Sequence, residues 1–94
     1  LFVRLFFADP ASGPDASPDG IKRGPDGNFY IGQYPNGRIV VVDAEGKLVR
    51  AIDVPSAAAP NLAFSPDGTA IFVTAVDDIS AAPYSGKVYE VGLE

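Results

Sequence analysis

Apolar and polar positions alternate along most of this chain in short runs, each closed by Pro, Gly, Asn or Asp. A period of two is the signature of a strand whose successive side chains face opposite ways. No helical period persists over a useful length. Leu1–Ala8 alternates with both faces largely apolar, which predicts a strand covered on both sides. Asp9–Ser17 is rich in Pro, Ser, Gly, Ala and Asp and reads as a loop. Strands are then predicted at Gly20–Gly24, Asn28–Tyr34, Arg38–Asp43 and Lys47–Val54. The turns between them are Pro25-Asp26-Gly27, Pro35-Asn36-Gly37 and Ala44-Glu45-Gly46. In the Pro-led turns Pro presets φ and Gly accepts a positive φ. Pro55–Ala59 reads as a linker. The pattern then restarts with Asn61–Ser65, the turn Pro66-Asp67-Gly68 and Ala70–Ala75. A longer acidic loop, Val76–Ser85, precedes a final strand at Lys87–Val91.

This restart is an internal repeat. Asp26 and Asp67 are 41 residues apart (67 − 26), and Gly37-Arg38-Ile39 matches Gly86-Lys87-Val88 at a spacing of 49 (86 − 37). The Val76–Ser85 loop takes up most of the difference. Four short strands repeating at about 40–50 residues is the period of propeller blades. The expected fold is therefore all-β, with about two four-stranded antiparallel blades of a β-propeller. Residues 18–54 form the first blade. Residues 60–92 form a second blade that lacks its fourth strand. Residues 1–8 form the fourth strand of a preceding or neighbouring blade.

Successive connections in an antiparallel meander alternate between its two ends. The turns at 25–27, 44–46 and 66–68 share one face and are minimal. The connections at 9–19, 34–37, 55–60 and 76–85 share the other, and their length and variety suit a functional face. Pro18-Asp19-Gly20 opens an inner strand on that second face, whereas Asp26 and Asp67 belong to the structural turns. On spacing alone, Asp19 reads first as a turn or strand-entry residue. Asp77 and Asp78 lack the spacing of a calcium loop and read as a solvated segment. Tyr34 and Tyr84 sit on the functional face, where pocket lining and plain packing are both open. Lys22 and Arg23 stand near the inner strand as solvated or paired cations.

Composition narrows the chemistry. The 94 residues make at most one domain. The net charge of −5 argues against nucleic acid and anionic membrane as partners. With no Cys and no His, the chain forms no disulfide, no thiolate metal site and no Ser-His-Asp or Cys-His site of its own. No Met is present, which suits a piece of a longer or processed product. Leu93-Glu94 reads as an appended tail outside the fold. No stretch is long enough to span a membrane, no targeting segment is seen, and the chain reads as soluble.

The run PDGIKRGPDGNFYIGQYPNGRIVVVDAEGKLVRAIDVP resembles the gluconolactonase/regucalcin family, also called senescence marker proteins. The likeness lies in the Pro-Asp-Gly opening, the Gly-Asn-aromatic strand, Gly-Arg-Ile and Asp-Ala-Glu-Gly-Lys. APNLAFSPDGTAIFVTA and YSGKVYEV resemble the next blade. The resemblance covers nearly all of this chain and about the C-terminal third of a family member. It implies a six-bladed propeller that hydrolyses sugar lactones with a bound divalent metal. It implies that Asp19 is a metal ligand that also serves as base towards water. Segments carrying the family's ligand Glu and ligand Asn have no counterpart here. Asn61 stands in an Asn-Leu-Ala-Phe run like the family's Asn motif but lacks its Gly and follows Asp19 instead of preceding it. It reads as an inner-strand residue that satisfies backbone groups, with a metal role as the second alternative. Carboxylate and amide oxygens suit Ca²⁺, with Mg²⁺, Mn²⁺ or Zn²⁺ as alternatives.

The expected function is thus a fragment of a metal-dependent sugar-lactone hydrolase that contributes Asp19 to a channel site. The alternative is a non-catalytic propeller module for binding or scaffolding. The surplus strand at Leu1–Ala8 and the missing strand of the second blade suggest assembly. Three copies supply six blades in 282 residues (3 × 94); the other source of the missing blades is the remainder of a parent chain.

Overall fold

The computed structural model describes Val3, residues 17–34 and residues 36–94. All regular structure among them is β: β1 (Ser17–Arg23), β2 (Phe29–Tyr34), β3 (Arg38–Val42), β4 (Leu48–Asp53), β5 (Ala58–Phe64), β6 (Ala70–Val76) and β7 (Gly86–Gly92). β1 to β4 form one antiparallel meander and β5 to β7 a second. They are two blades of the propeller type. A single bridge, Gln33 to Ala59, joins β2 to β5 and makes one seven-stranded sheet of the pair. The expected Leu1–Ala8 strand and most of the Asp9–Ser17 loop lie outside the described residues.

The strand composition explains the pairing. β3 is Arg-Ile-Val-Val-Val, β-branched and buried on both faces. Ile39 and Val41 face blade two, while Val40 and Val42 join Ile31 on the opposite face. The main core lies between the blades. Tyr30, Ile39 and Val41 of blade one meet Leu62, Ile71, Val73 and Ala75 of blade two. The ring of Tyr30 stands edge-on to Phe64 with centroids 4.8 Å apart, a favourable aromatic geometry. The turns close on Gly27, Gly46 and Gly68, all with positive φ.

Three expectations need correction. β1 begins at Ser17, three residues before the predicted Gly20, so Ser17 is strand instead of loop, and the Pro55–Ala59 linker ends two residues early because β5 begins at Ala58. In both strands the prolines are accommodated by a register shift, between Pro18 and Ile21 and between Ala58 and Asn61. A bulge is where a strand tolerates a residue without an N–H. Leu93 is no loose tail. Its N–H donates to the Thr69 carbonyl at 2.9 Å, and its side chain packs against the main core. The reason is the period of two: Tyr89, Val91 and Leu93 share one face.

Gly32 sits at the closest approach of the two blades. A Cβ there would collide with the carbonyls of Pro60 and Ala59. Such a glycine lets two backbones touch. Gly32→Ala is expected to destabilise the chain by about 1–3 kcal/mol, the usual cost of overpacking. Gly92→Ala, which meets nothing within 4 Å, serves as the control. Urea denaturation of both variants checks this; equal midpoints would show that the blades do not need the contact.

Candidate functional site

The two ends of the meanders carry different chemistry. At one end lie the turns after β1, β3 and β5. Asp26 accepts hydrogen bonds there from the Asn28 N–H at 3.0 Å and the Tyr30 hydroxyl at 2.8 Å. Partial burial pushes the Asp26 carboxyl up, but the hydrogen bonds from Tyr30 and Asn28 outweigh it and hold the group below its ordinary value. Burial, with the Asp26 hydrogen bond behind it, raises the Tyr30 hydroxyl. Asp67 repeats the arrangement with Ser65 and Thr69. Both aspartates tie turns to strands, as structural residues do.

Asp19 lies at the other end, near the start of β1, where Ser17 pairs with Tyr34 and Pro18 with Gln33. It is exposed. Its strand is secured by the Ser17 hydroxyl, which donates to the Tyr34 carbonyl. Gly20, the next residue, abuts Asn61 of β5, and a Cβ at Gly20 would collide with Asn61 Oδ1. The two inner strands therefore meet beside Asp19. Asn61 Oδ1 accepts the Leu62 N–H at 2.9 Å and the Lys22 ammonium at 3.2 Å. Thr74 Oγ1 donates to the Asn61 carbonyl at 3.2 Å. Asn61 thus satisfies backbone, and Lys22 is a paired cation.

Repeat arithmetic separates the two candidates further. The blades superpose on the inner strand at an offset of 41, from Gly24 to Ser65 across the two turns. Asn61 is then the counterpart of Gly20 (61 − 41), and Asp19 corresponds to Pro60 (19 + 41). The Asp19 carboxylate occurs once in two blades.

Asp77 and Asp78 belong to internal networks. Ser56 Oγ donates to Asp77 Oδ1 at 2.6 Å, and Lys87 Nζ lies 3.1 Å from Asp77 Oδ2. Tyr89 donates to the Pro55 carbonyl at 3.3 Å on the same cluster. Together these groups tie the connection between the blades to the long loop of blade two. Asp78 accepts from the Ser80 N–H at 2.9 Å and hydroxyl at 2.6 Å. Tyr34 ends β2, while Tyr84 is exposed in the long loop with φ of 55°. Gln33 was not singled out from sequence. It is the buried polar residue at the point where β1, β2 and β5 converge. Its signal was a lone amide in the aromatic run FYIGQY. Among the described residues no group of three or more Asp or Glu stands close enough to hold a metal.

A model of the family described as the SMP-30/Gluconolactonase/LRE-like region matches residues 3–77. That span runs through the whole of blade one to the end of β6 and contains both Asp19 and Asn61. No curated protein matches the chain, and no solved structure does.

The Ser56 hydrogen bond, then Lys87, holds the Asp77 carboxyl below its ordinary value. The hydrogen bond to Asp77, then its charge, raises the Lys87 ammonium. A lowered carboxyl contributes stability above its unfolded pKa of about 3.9, which is lost as pH falls through the folded value. A raised ammonium contributes below its unfolded pKa of about 10.4, which is lost as pH rises through the folded value. Asp77→Asn should therefore lower the thermal midpoint slightly between these limits and reduce its pH dependence outside them. Melts from strongly acid to strongly alkaline pH measure this; parallel curves for the variant and the parent would count against the network.

Proposed function

Because the chain belongs to the SMP-30/gluconolactonase/LRE-like family, we propose that it contributes Asp19 to a metal-assisted site for hydrolysis of sugar lactones. The observation that carries this is the exposed Asp19 in the inner strand, next to Gly20, which abuts the Asn61 of the neighbouring blade. The donors are a carboxylate and an amide oxygen, the chemistry that hard cations such as Ca²⁺ prefer. They fit a cation in kind, and further oxygens must come from other blades. A bound cation supplies polarisation of the lactone carbonyl and acidifies water. Asp19 then accepts a proton from the water whose oxygen bonds to the acyl carbon. The ring C–O bond breaks, and the ring oxygen takes the proton back from Asp19 and leaves as the hydroxyl of a hydroxy acid.

Assembly belongs to the same proposal. At the register of the pairs, Tyr30–Val41 and Gly32–Ile39 in blade one correspond to Phe72–Glu90 and Thr74–Val88 in blade two. Tyr30, Ile39 and Val41 are buried between the blades, whereas Phe72 and Val88 are 40% and 67% exposed. The corresponding face of blade two is thus open, with Thr74 where blade one has Gly32 and Glu90 where it has Val41. Among the described residues no strand pairs with the outer edge of β7, as β4 does with β3. We take the partner to be a further copy of this chain. Three copies complete six blades and bring one Asp19 from each.

The alternative, a non-catalytic propeller module, draws on the single carboxylate at the candidate site. The two part on one measurement. The assembled protein should hydrolyse a sugar lactone only with divalent metal present. Asp19→Asn should weaken metal dependence by at least about 10–100-fold, the loss seen for lesser perturbations of metal sites. A dissociated monomer should turn over weakly or not at all, since one carboxylate holds Ca²⁺ poorly. Light scattering beside the assay identifies the active species. An assembly without metal-dependent turnover supports the binding module, and an active monomer contradicts the shared site.

A further inference from the structure

The face of blade one turned away from blade two is closed at its centre. Alternation along β2 and β3 puts Phe29, Ile31, Gln33, Arg38, Val40 and Val42 on it. Val40 and Val42 are 0% and 1% exposed, and Gln33 is 5% exposed. Among the described residues no strand lies over them. β1 to β4 lie side by side in the sheet, and β5 packs on the other face. Phe29, Gln33 and Arg38 of this face are each engaged with a further group. The closed band is narrow. Ile21 pairs with Ile31 and Leu48 with Val42, yet Ile21 and Leu48 remain 56% and 53% exposed. A band two strands wide, about 10 Å, is what one extended segment covers, whereas a docked sheet would reach the flanking strands as well.

We propose that the Leu1–Ala8 segment of the same chain lies over this face. Its apolar side chains suit Ile31, Val40 and Val42. Residues 9–16 extend over roughly 26 Å (8 × 3.3 Å), more than the width of about 14 Å of four strands, so the segment reaches from the start of β1. Val3 is 83% exposed, and a period of two then turns Phe2 and Phe6 inward. Arg4 between them reaches the rim with its charge in water. The segment occupies the face on which the blade two of a neighbouring copy would sit, so segment and copy compete for it. This consequence alone rests on the ring proposed above.

Methyl NMR of the whole chain with a soluble gadolinium chelate tests this. Val40 and Val42 should be shielded in the parent at every chain concentration. Phe2→Ser/Phe6→Ser should raise their paramagnetic relaxation several-fold, and Val3→Ser should not. Val73, buried between the blades, should stay shielded throughout, which shows that the fold is kept. NOEs from the Phe2 and Phe6 rings to the Val40 and Val42 methyls in the parent make the test independent of any variant's stability. Absence of those NOEs, or unchanged shielding in the double variant, overturns the cover. Shielding that the parent loses on dilution overturns it too, because the cover is then a second copy. Light scattering reads the competition. The double variant should assemble at a several-fold lower concentration than the parent, and an equal or higher one refutes competition for the face.

Discussion

Everything in this chain depends on two sheets meeting face to face at nearly bare backbone. Gly32 has no side chain to hold the blades apart, so the β2 backbone lies against the carbonyls of Ala59 and Pro60. That approach brings Gln33 and Ala59 into their bridge. It also lets Tyr30, Ile39 and Val41 bury against Ile71 and Val73. Burial of apolar surface drives the contact, and the hydrogen-bond bridge sets its register. A side chain at position 32 would disturb both.

The same contact positions the candidate site. β1 pairs with β2 along its length, and β5 is fixed to β2 by the bridge, so the two inner strands run beside one another. Asp19 and Asn61 belong to those strands. The other end of each meander is occupied by turns in which Asp26 and Asp67 are consumed by local hydrogen bonds. A carboxylate committed to its own turn is a poor candidate for chemistry. The three Pro-Asp-Gly tripeptides in one short sequence therefore do different work. Two close hairpins, and one runs through a bulge in a strand.

Charge placement distinguishes two neighbourhoods at the end of the meanders where Asp19 lies. Around Asp77, Lys87 neutralises the carboxylate and a hydrogen bond from Ser56 ties its loop to the connection between the blades. At Asn61 a lysine meets a neutral amide instead. A lysine on a carboxylate makes a structural pair.

The sequence determined most of the strands by itself. Period-two alternation, β-branched runs such as Ile39–Val42 and Gly-closed turns need only local geometry, so they were legible without coordinates. The repeat of Asp26 in Asp67 revealed two blades for the same reason. What tertiary structure decided lies where local preference is weak. Pro18 and Pro60 look like loop residues and become strand because each sits at a bulge. Leu93 looked like tail and packs because, one residue past β7, it continues the face of Tyr89 and Val91 that meets the core. Asp77 looked solvated and is held by Ser56, a residue 21 positions away in the chain. Lys22 and Asn61 are 39 residues apart and meet only when the blades pack. Local rules act over a few residues. Contacts between distant ones follow from where the buried faces put the strands, and that is settled by packing.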